Sequence, residues 1–247
     1  MKTIGLVCAV ALWWLAEPSG WAATVFSDDF TGVNGDPLDG SKWTNTSMDG
    51  SGGTIQDNMA RLYSTVQWRQ AQLTSTTGAD FFSPGAAAMY RVDYHLGYGD
   101  CLYGWRTMDV AGASRRLVLE WTNEPWDTHF YLYTCNMDYS YNGVGRVNLW
   151  EGVRGTTWGD DGQTLSITLT PTEYSLDLIA STVSGSTTGT HGLNASDFPD
   201  GGFLVITTRK NASDEYISFD NAMIDYVPEP ATLGLLALGG LARRRQT

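Results

Sequence analysis

The sequence predicts an all-β protein, a two-sheet antiparallel sandwich, with an apolar helix at each end. Three observations point there. Period-two alternation of apolar and polar residues recurs along the middle of the chain. Turn residues punctuate it at short intervals, and no stretch between the two ends carries a capped helical period. About 205 residues remain between the ends, which suits one β-sandwich domain.

The elements follow in chain order. Residues 1–22 read as a signal peptide. Lys2 is the positive start, Ile4–Ala16 the apolar stretch, and Gly20-Trp21-Ala22 presents small residues where a signal peptidase reads them. Cleavage is expected after Ala22, with an uncleaved anchor as the alternative. Residues 23–227 form the predicted sandwich. Ala88, Tyr90, Val92, Tyr94 and Leu96 alternate with Met89, Arg91, Asp93 and His95. Leu117, Leu119 and Trp121 alternate with Val118, Glu120 and Thr122, and Phe130 and Leu132 with Tyr131 and Tyr133. Leu165–Thr170 and Tyr174–Ile179 form a hairpin across Pro171-Thr172-Glu173. Phe203–Thr208 and Tyr216–Phe219 supply further strands. Ser181–Asp200 and Gly50–Gly53 read as surface loops.

Near the end of the domain the apolar parity slips. Ile217 and Phe219 share one parity, whereas Ala222, Ile224 and Tyr226 take the other. A strict strand cannot bury both sets, so a bulge is expected near Asp220-Asn221.

Residues 228–247 hold Pro228-Glu229-Pro230, the apolar run Ala231–Ala242, and Arg243, Arg244 and Arg245. A helix over that run spans roughly 18 Å, short of the about 30 Å of a bilayer core, which suits temporary retention. The arginines would stay cytoplasmic and the triplet would face outward. A terminal core helix is the alternative. Triplet, apolar run and arginines together resemble the PEP-CTERM sorting signal of bacterial surface proteins. That resemblance implies an exported protein, held briefly in the membrane, cut near Pro228–Pro230 by an exosortase, and delivered to the cell surface or matrix.

The chain has 15 basic and 27 acidic residues, a net charge of −12. Such a surface repels phosphate backbones and excludes nucleic acid as a partner. It favours divalent cations instead. After loss of Cys8 with the signal peptide, Cys101 and Cys135 remain. An even number in an oxidising compartment predicts a disulfide; two separate buried thiols are the alternative.

Asp28-Asp29-Phe30, Pro37–Trp43 and Ile217–Asn221 resemble the edges of the concanavalin A-like lectin/glucanase superfamily. The resemblance implies a jelly roll whose first and last strands pair, bringing its two ends together. A jelly roll of the carbohydrate-binding-module type is the runner-up. Members often hold structural calcium near the terminal strands, so Asp29 and Asp220 are candidate ligands. The glucanases of the superfamily carry Glu-x-Asp-x-(x)-Glu on one strand. Glu120-Trp121-Thr122-Asn123-Glu124-Pro125 is the nearest stretch, with Thr122 where the aspartate belongs and Pro125 ending the strand. Glu120 and Glu124 are therefore weak catalytic candidates, and no enzyme activity is expected. No other catalytic motif is present.

The expected function is non-catalytic carbohydrate binding. If Cys101 and Cys135 pair, Tyr103, Trp105, Tyr131 and Tyr133 project from one side of a sheet. Sugar rings stack on such aromatics while Arg91, Asp93, His95 and Glu120 serve the hydroxyls. An extracellular polysaccharide is the expected ligand. A structural matrix protein, and more distantly a degenerate glycosidase, are the alternatives.

Overall fold

The computed structural model describes residues 23–47, 51–63, 70–95, 104–122, 129–137, 144–153, 163–180, 184–210 and 216–227. The expected signal and transmembrane helices lie outside these residues. Among the described residues no helix is long and apolar enough to cross a membrane.

Two antiparallel sheets face each other. One contains β1 (Ala23–Asp28), β3 (Gly52–Gln56), β4 (Met59–Tyr63), β6 (Ala88–His95), β11 (Gln163–Leu169), β12 (Glu173–Ala180), β13 (Ser184–Thr190) and β15 (Tyr216–Tyr226). Its order is β13-β12-β11-β6-β15-β4-β3, with β1 also on β15. The other contains β2 (Trp43–Asn45), β5 (Gln70–Ala79), β7 (Gly104–Ala111), β8 (Arg115–Thr122), β9 (His129–Asn136), β10 (Val147–Val153) and β14 (Gly202–Lys210). Its order is β10-β9-β8-β7-β14-β5-β2. We refer to them as the back and front sheets.

The predicted parities sort the side chains. Tyr90, Val92 and Tyr94 of β6 and Leu165, Ile167 and Leu169 of β11 meet Leu117, Leu119, Trp121, Phe130 and Leu132 of the front sheet. All of these are fully buried. Each such side chain contributes ~1.5–3 kcal/mol. The Tyr90 hydroxyl crosses between the sheets and donates to the Gly202 carbonyl at 3.0 Å. The bulge is where parity required it. Pairing with β6 jumps from Asp220↔Asp93 to Met223↔Arg91, and Asn221 is left-handed at φ 47°.

Strand β1 lies antiparallel to the end of β15, with Ala23 opposite Tyr226, so the two ends of the sandwich meet. Asp28 closes this seam. It accepts the Trp43 indole N–H at 2.7 Å, the Lys42 ammonium at 3.0 Å and the Phe30 amide at 3.2 Å. Trp43 packs against Phe26, Phe30 and Phe219.

Two loop expectations are corrected. Ser184–Thr190 is an edge strand on β12, because small hydroxyl residues cost an edge nothing in packing. Past it, His191, Leu193 and Phe198 are buried. Gly52 and Gly53 begin β3; a Cβ on Gly53 would stand 2.6 Å from the Leu38 side chain, so the glycine there permits close packing rather than a loop.

Three substitutions test these contacts. Asp28→Ala leaves a buried indole N–H without an acceptor and should cost about 2 kcal/mol in urea unfolding. Lys42→Ala removes only a half-exposed partner and should cost less than about 1 kcal/mol. Equal costs would mean that the ion pair, not the indole, holds the seam. His191 lies against Phe81 and Phe82. Its Nδ1 accepts the Leu193 amide and its Nε2 faces the Thr170 carbonyl, both at 3.0 Å. Burial pushes its pKa down, despite the opposing Thr170 hydrogen bond. The unfolded chain therefore binds a proton more readily, and stability falls as pH drops below about 6.5. His191→Asn should make the melting temperature less sensitive between pH 7 and pH 5; an unchanged slope would refute this.

Candidate functional site

The outer face of the front sheet carries the site. Its pairings set side chains of adjacent strands in rows. One row runs Glu151, Tyr131, Glu120, Thr107, Thr207 and Gln72 across β10, β9, β8, β7, β14 and β5. The next runs Asn148, Tyr133, Val118, Asp109, Val205 and Thr74. Strands lie about 4.8 Å apart, so Glu120 and Gln72 sit some 14 Å from each other along the row.

At the β2 end of these rows is a cavity of about 300 Å³. Thr46, Gln70, Gln72 and Thr74 line it with amides and hydroxyls, and Phe203 and Val205 give it an apolar floor. Its size is at the lower end for small-molecule sites. Gln72 is held in place by its amide donating to Thr46 Oγ1 at 2.6 Å.

The other end of the rows is aromatic and charged. Tyr133 donates its hydroxyl to Glu120 Oε2 at 2.6 Å. The Arg146 guanidinium lies 3.8 Å above the Tyr133 ring and 5.7 Å from that of Tyr131. Burial, reinforced by Glu120, keeps the Tyr133 hydroxyl protonated far beyond the usual tyrosine range. Asp109 is fully buried and pairs with Arg116 at 3.0 Å. Burial drives its pKa up to about 6 against the pull of Arg116.

The face thus gathers part of the expected set. Tyr131, Tyr133 and Glu120 stand together on it. The Trp105 backbone belongs to the same sheet, opposite Thr122 and Arg209. Tyr103, Glu124 and Cys101 lie outside the described residues. Arg91, Asp93 and His95 are on β6 of the back sheet, across the core from the aromatics. There Asp93 accepts Arg91 at 3.2 Å, Thr164 at 2.7 Å and Asn221 at 3.1 Å. Sheets pack about 10 Å apart, so these residues and the tyrosines cannot grip one ligand. Arg91 lines a different, open depression of about 480 Å³ with Met89, Thr164, Ser166, Asp177 and Ser186.

Cys135 is a buried free thiol, and no disulfide is found among the described residues, from which Cys101 is absent. It sits on the outer face with Val118 and Tyr133 and accepts from Arg116 Nε at 3.4 Å. Burial raises its pKa, so it stays a thiol.

The calcium expectation finds no ligand shell. Asp29 is spent on the Thr31 hydroxyl at 3.2 Å, and Asp220 on the Asn221 amide at 2.7 Å. Burial raises the Asp220 pKa, and Asp93 and Asp29 add to it against His95. Among the described residues no group of three or more metal-ligating side chains comes together. Two carboxylates fall short of the six to eight oxygens calcium takes.

Sequence reading missed Asp109, Arg116 and the cavity residues. Extending the parity of Trp105 through Thr107 to Asp109 would have found the first. Nothing local marks Gln72 and Phe203 as neighbours.

The sequence model of the PEP-CTERM protein-sorting motif matches residues 227–246. The chain ends in a PEP-CTERM sorting motif. The motif implies export, sorting to the cell surface and processing by an exosortase. No curated protein matches the chain in sequence. In structure it is similar to concanavalin A-like lectins and glucanases. An endo-1,3-β-glucanase from Streptomyces sioyaensis aligns at TM-score 0.59 and 12% identity, over 86% of this chain and 99% of its own. SCLam, a non-specific endo-β-1,3(4)-glucanase of family GH16, aligns at 0.55 and 12%, over 84% and 92%. Lectin II from Ulex europaeus aligns at 0.52 and 10%, over 84% and 99%. Such identities speak for the jelly-roll fold alone.

The buried acid gives a prediction. Its folded pKa exceeds the unfolded 3.8, so the folded chain holds the proton more tightly, and the stability this contributes is lost as pH rises from 3.8 through about 6. An NMR titration of the Asp109 carboxyl should show a midpoint near 6. A midpoint below 4 would mean that Arg116 outweighs burial.

Proposed function

We propose that this PEP-CTERM protein is an exported, surface-sorted lectin-like protein that binds carbohydrate on the outer face of its front sheet without cleaving it. The observation that supports this best is the cavity lined by Thr46, Gln70, Gln72 and Thr74 over Phe203. The Gln72 amide, held by Thr46, stands beside a mostly apolar lining of Ala111, Met137, Phe203 and Val205, a combination that suits the hydroxyl rim and C–H face of a sugar. Tyr131 and Glu120, both half-buried, extend the same row and offer a stacking ring and an acceptor beyond the cavity. Solved relatives of this fold include both lectins and glucanases.

The carboxylates favour binding over hydrolysis. A retaining glycosidase needs two of them about 5–5.5 Å apart and within reach of the substrate, and Asp109 is fully buried. Asp109 is engaged by Arg116 and Glu120 by Tyr133. A second reading, a structural matrix component, draws support from the back sheet. Its outer face carries Thr164, Ser166, Thr168, Ser175 and Asp177, a mostly polar surface interrupted by the exposed Ile179 opposite Thr164.

A glycan array probed with the secreted domain tests the choice. Saturable binding is expected, weakened at least about tenfold by Gln72→Ala and by Tyr131→Ala, since each removes ~1–2 kcal/mol of contact. Binding by neither variant nor wild type would move the assignment to the structural role. Release of reducing ends from a bound glucan, lost in Glu120→Gln, would instead establish an enzyme.

A further inference from the structure

The sorting motif begins inside the fold. Its first residue, Val227, is tied down, with its amide donating to the Ala87 carbonyl at 2.9 Å. One residue earlier, the Tyr226 hydroxyl accepts the Asp80 amide at 3.0 Å, and Tyr226 is paired to Ala23. Asp80 is itself fixed in its turn, accepting the Phe82 amide at 2.8 Å. Pro228 follows immediately, so the sequence leaves no linker between strand and motif.

Reach is the difficulty. Three extended residues from Val227 to Pro230 span about 10 Å at most. The folded body beside them has a radius of gyration of about 17 Å for a domain of this length. An enzyme that takes its substrate extended needs residues on both sides of the cut, and before Pro228–Pro230 those residues are Tyr226 and Val227, which the sheet holds. Proteolysis at such a junction proceeds through a locally opened state, at a rate set by that state's population.

We propose that the end of β15 is a clamp on processing: Val227 and Tyr226 must detach from Ala87, Asp80 and Ala23 before the exosortase can cut the PEP-CTERM tail. The clamp has a direction in time. Ala23 pairs with Tyr226 only once β1 has docked, so a chain not yet folded presents its motif without restraint, and the folded chain presents it slowly. Processing is thereby faster before the sandwich closes than after.

The test uses the full chain in a host that processes it, followed by pulse-chase and the mobility shift on tail removal. Tyr226→Phe deletes the acceptor for the Asp80 amide and leaves the distance to the membrane unchanged. It should speed processing about fivefold, the effect of one lost hydrogen bond. A Gly-Ser-Gly-Ser-Gly-Ser insertion between Val227 and Pro228 leaves every clamp contact in place but supplies the missing reach, and should speed it at least as much. Equal rates in all three chains would overturn the proposal. Acceleration by the insertion alone would overturn it too, since bulk near the membrane and not detachment would then be limiting. Urea unfolding of each variant reports that the sandwich is intact and is independent of the processing rate.

Discussion

Strand β15 carries two inward-facing sets of side chains of opposite parity, and the left-handed Asn221 lets both reach the core. Before it, β15 pairs with β4 on one side; after it, with β1. β6 holds the other side throughout and absorbs the jump. Without the extra residue, either Ile217 and Phe219 or Ala222 and Ile224 would face outward. Exposing the larger pair forfeits ~3–6 kcal/mol, a large share of a domain's net stability. Phe219 also belongs to the cluster that Trp43 and Phe30 complete, so the bulge, the Asp28 seam and the meeting of the ends form one unit.

Charge on the front face is managed in pairs. An acidic chain has buried Asp109 on a sheet surface, where isolation would neutralise it. Arg116 supplies the counter-charge, and also reaches the Cys135 sulfur. Glu120 is satisfied by a hydroxyl donor, and Arg146 covers the aromatic ring that provides it. These contacts fix the side chains on one half of the face. The other half uses neutral groups, with the Gln72 amide donating to the Thr46 hydroxyl at 2.6 Å.

Strand parity was readable from one sequence, because alternation is local. It located β6, β8, β9, the β11–β12 hairpin and the bulge. It could not say which sheet a strand joins. Arg91 and Tyr131 both sit on outward parities, yet the fold puts β6 and β9 in different sheets, so a shared ligand was an inference from parity that topology undoes. The cysteine count is likewise silent on geometry. An even number says nothing of proximity, and the slot around Cys135 is filled by Arg116, Val118 and Tyr133. The cavity was invisible because Thr46, Gln72 and Phe203 come from strands far apart in sequence. The Ser/Thr-rich stretch before His191 misled because composition alone does not distinguish an edge strand from a loop.

The pairing of Ala23 with Tyr226 has an architectural consequence. Opposed residues in an antiparallel pair stand only about 5 Å apart, the separation bridged by an ordinary surface turn. A body whose entry and exit coincide can be spliced into a host loop, or strung beside others, without deforming either party. The same geometry allows its ends to be joined and new ones opened elsewhere. The jelly roll is therefore a portable cassette, interchangeable with any other domain whose ends meet in the same way.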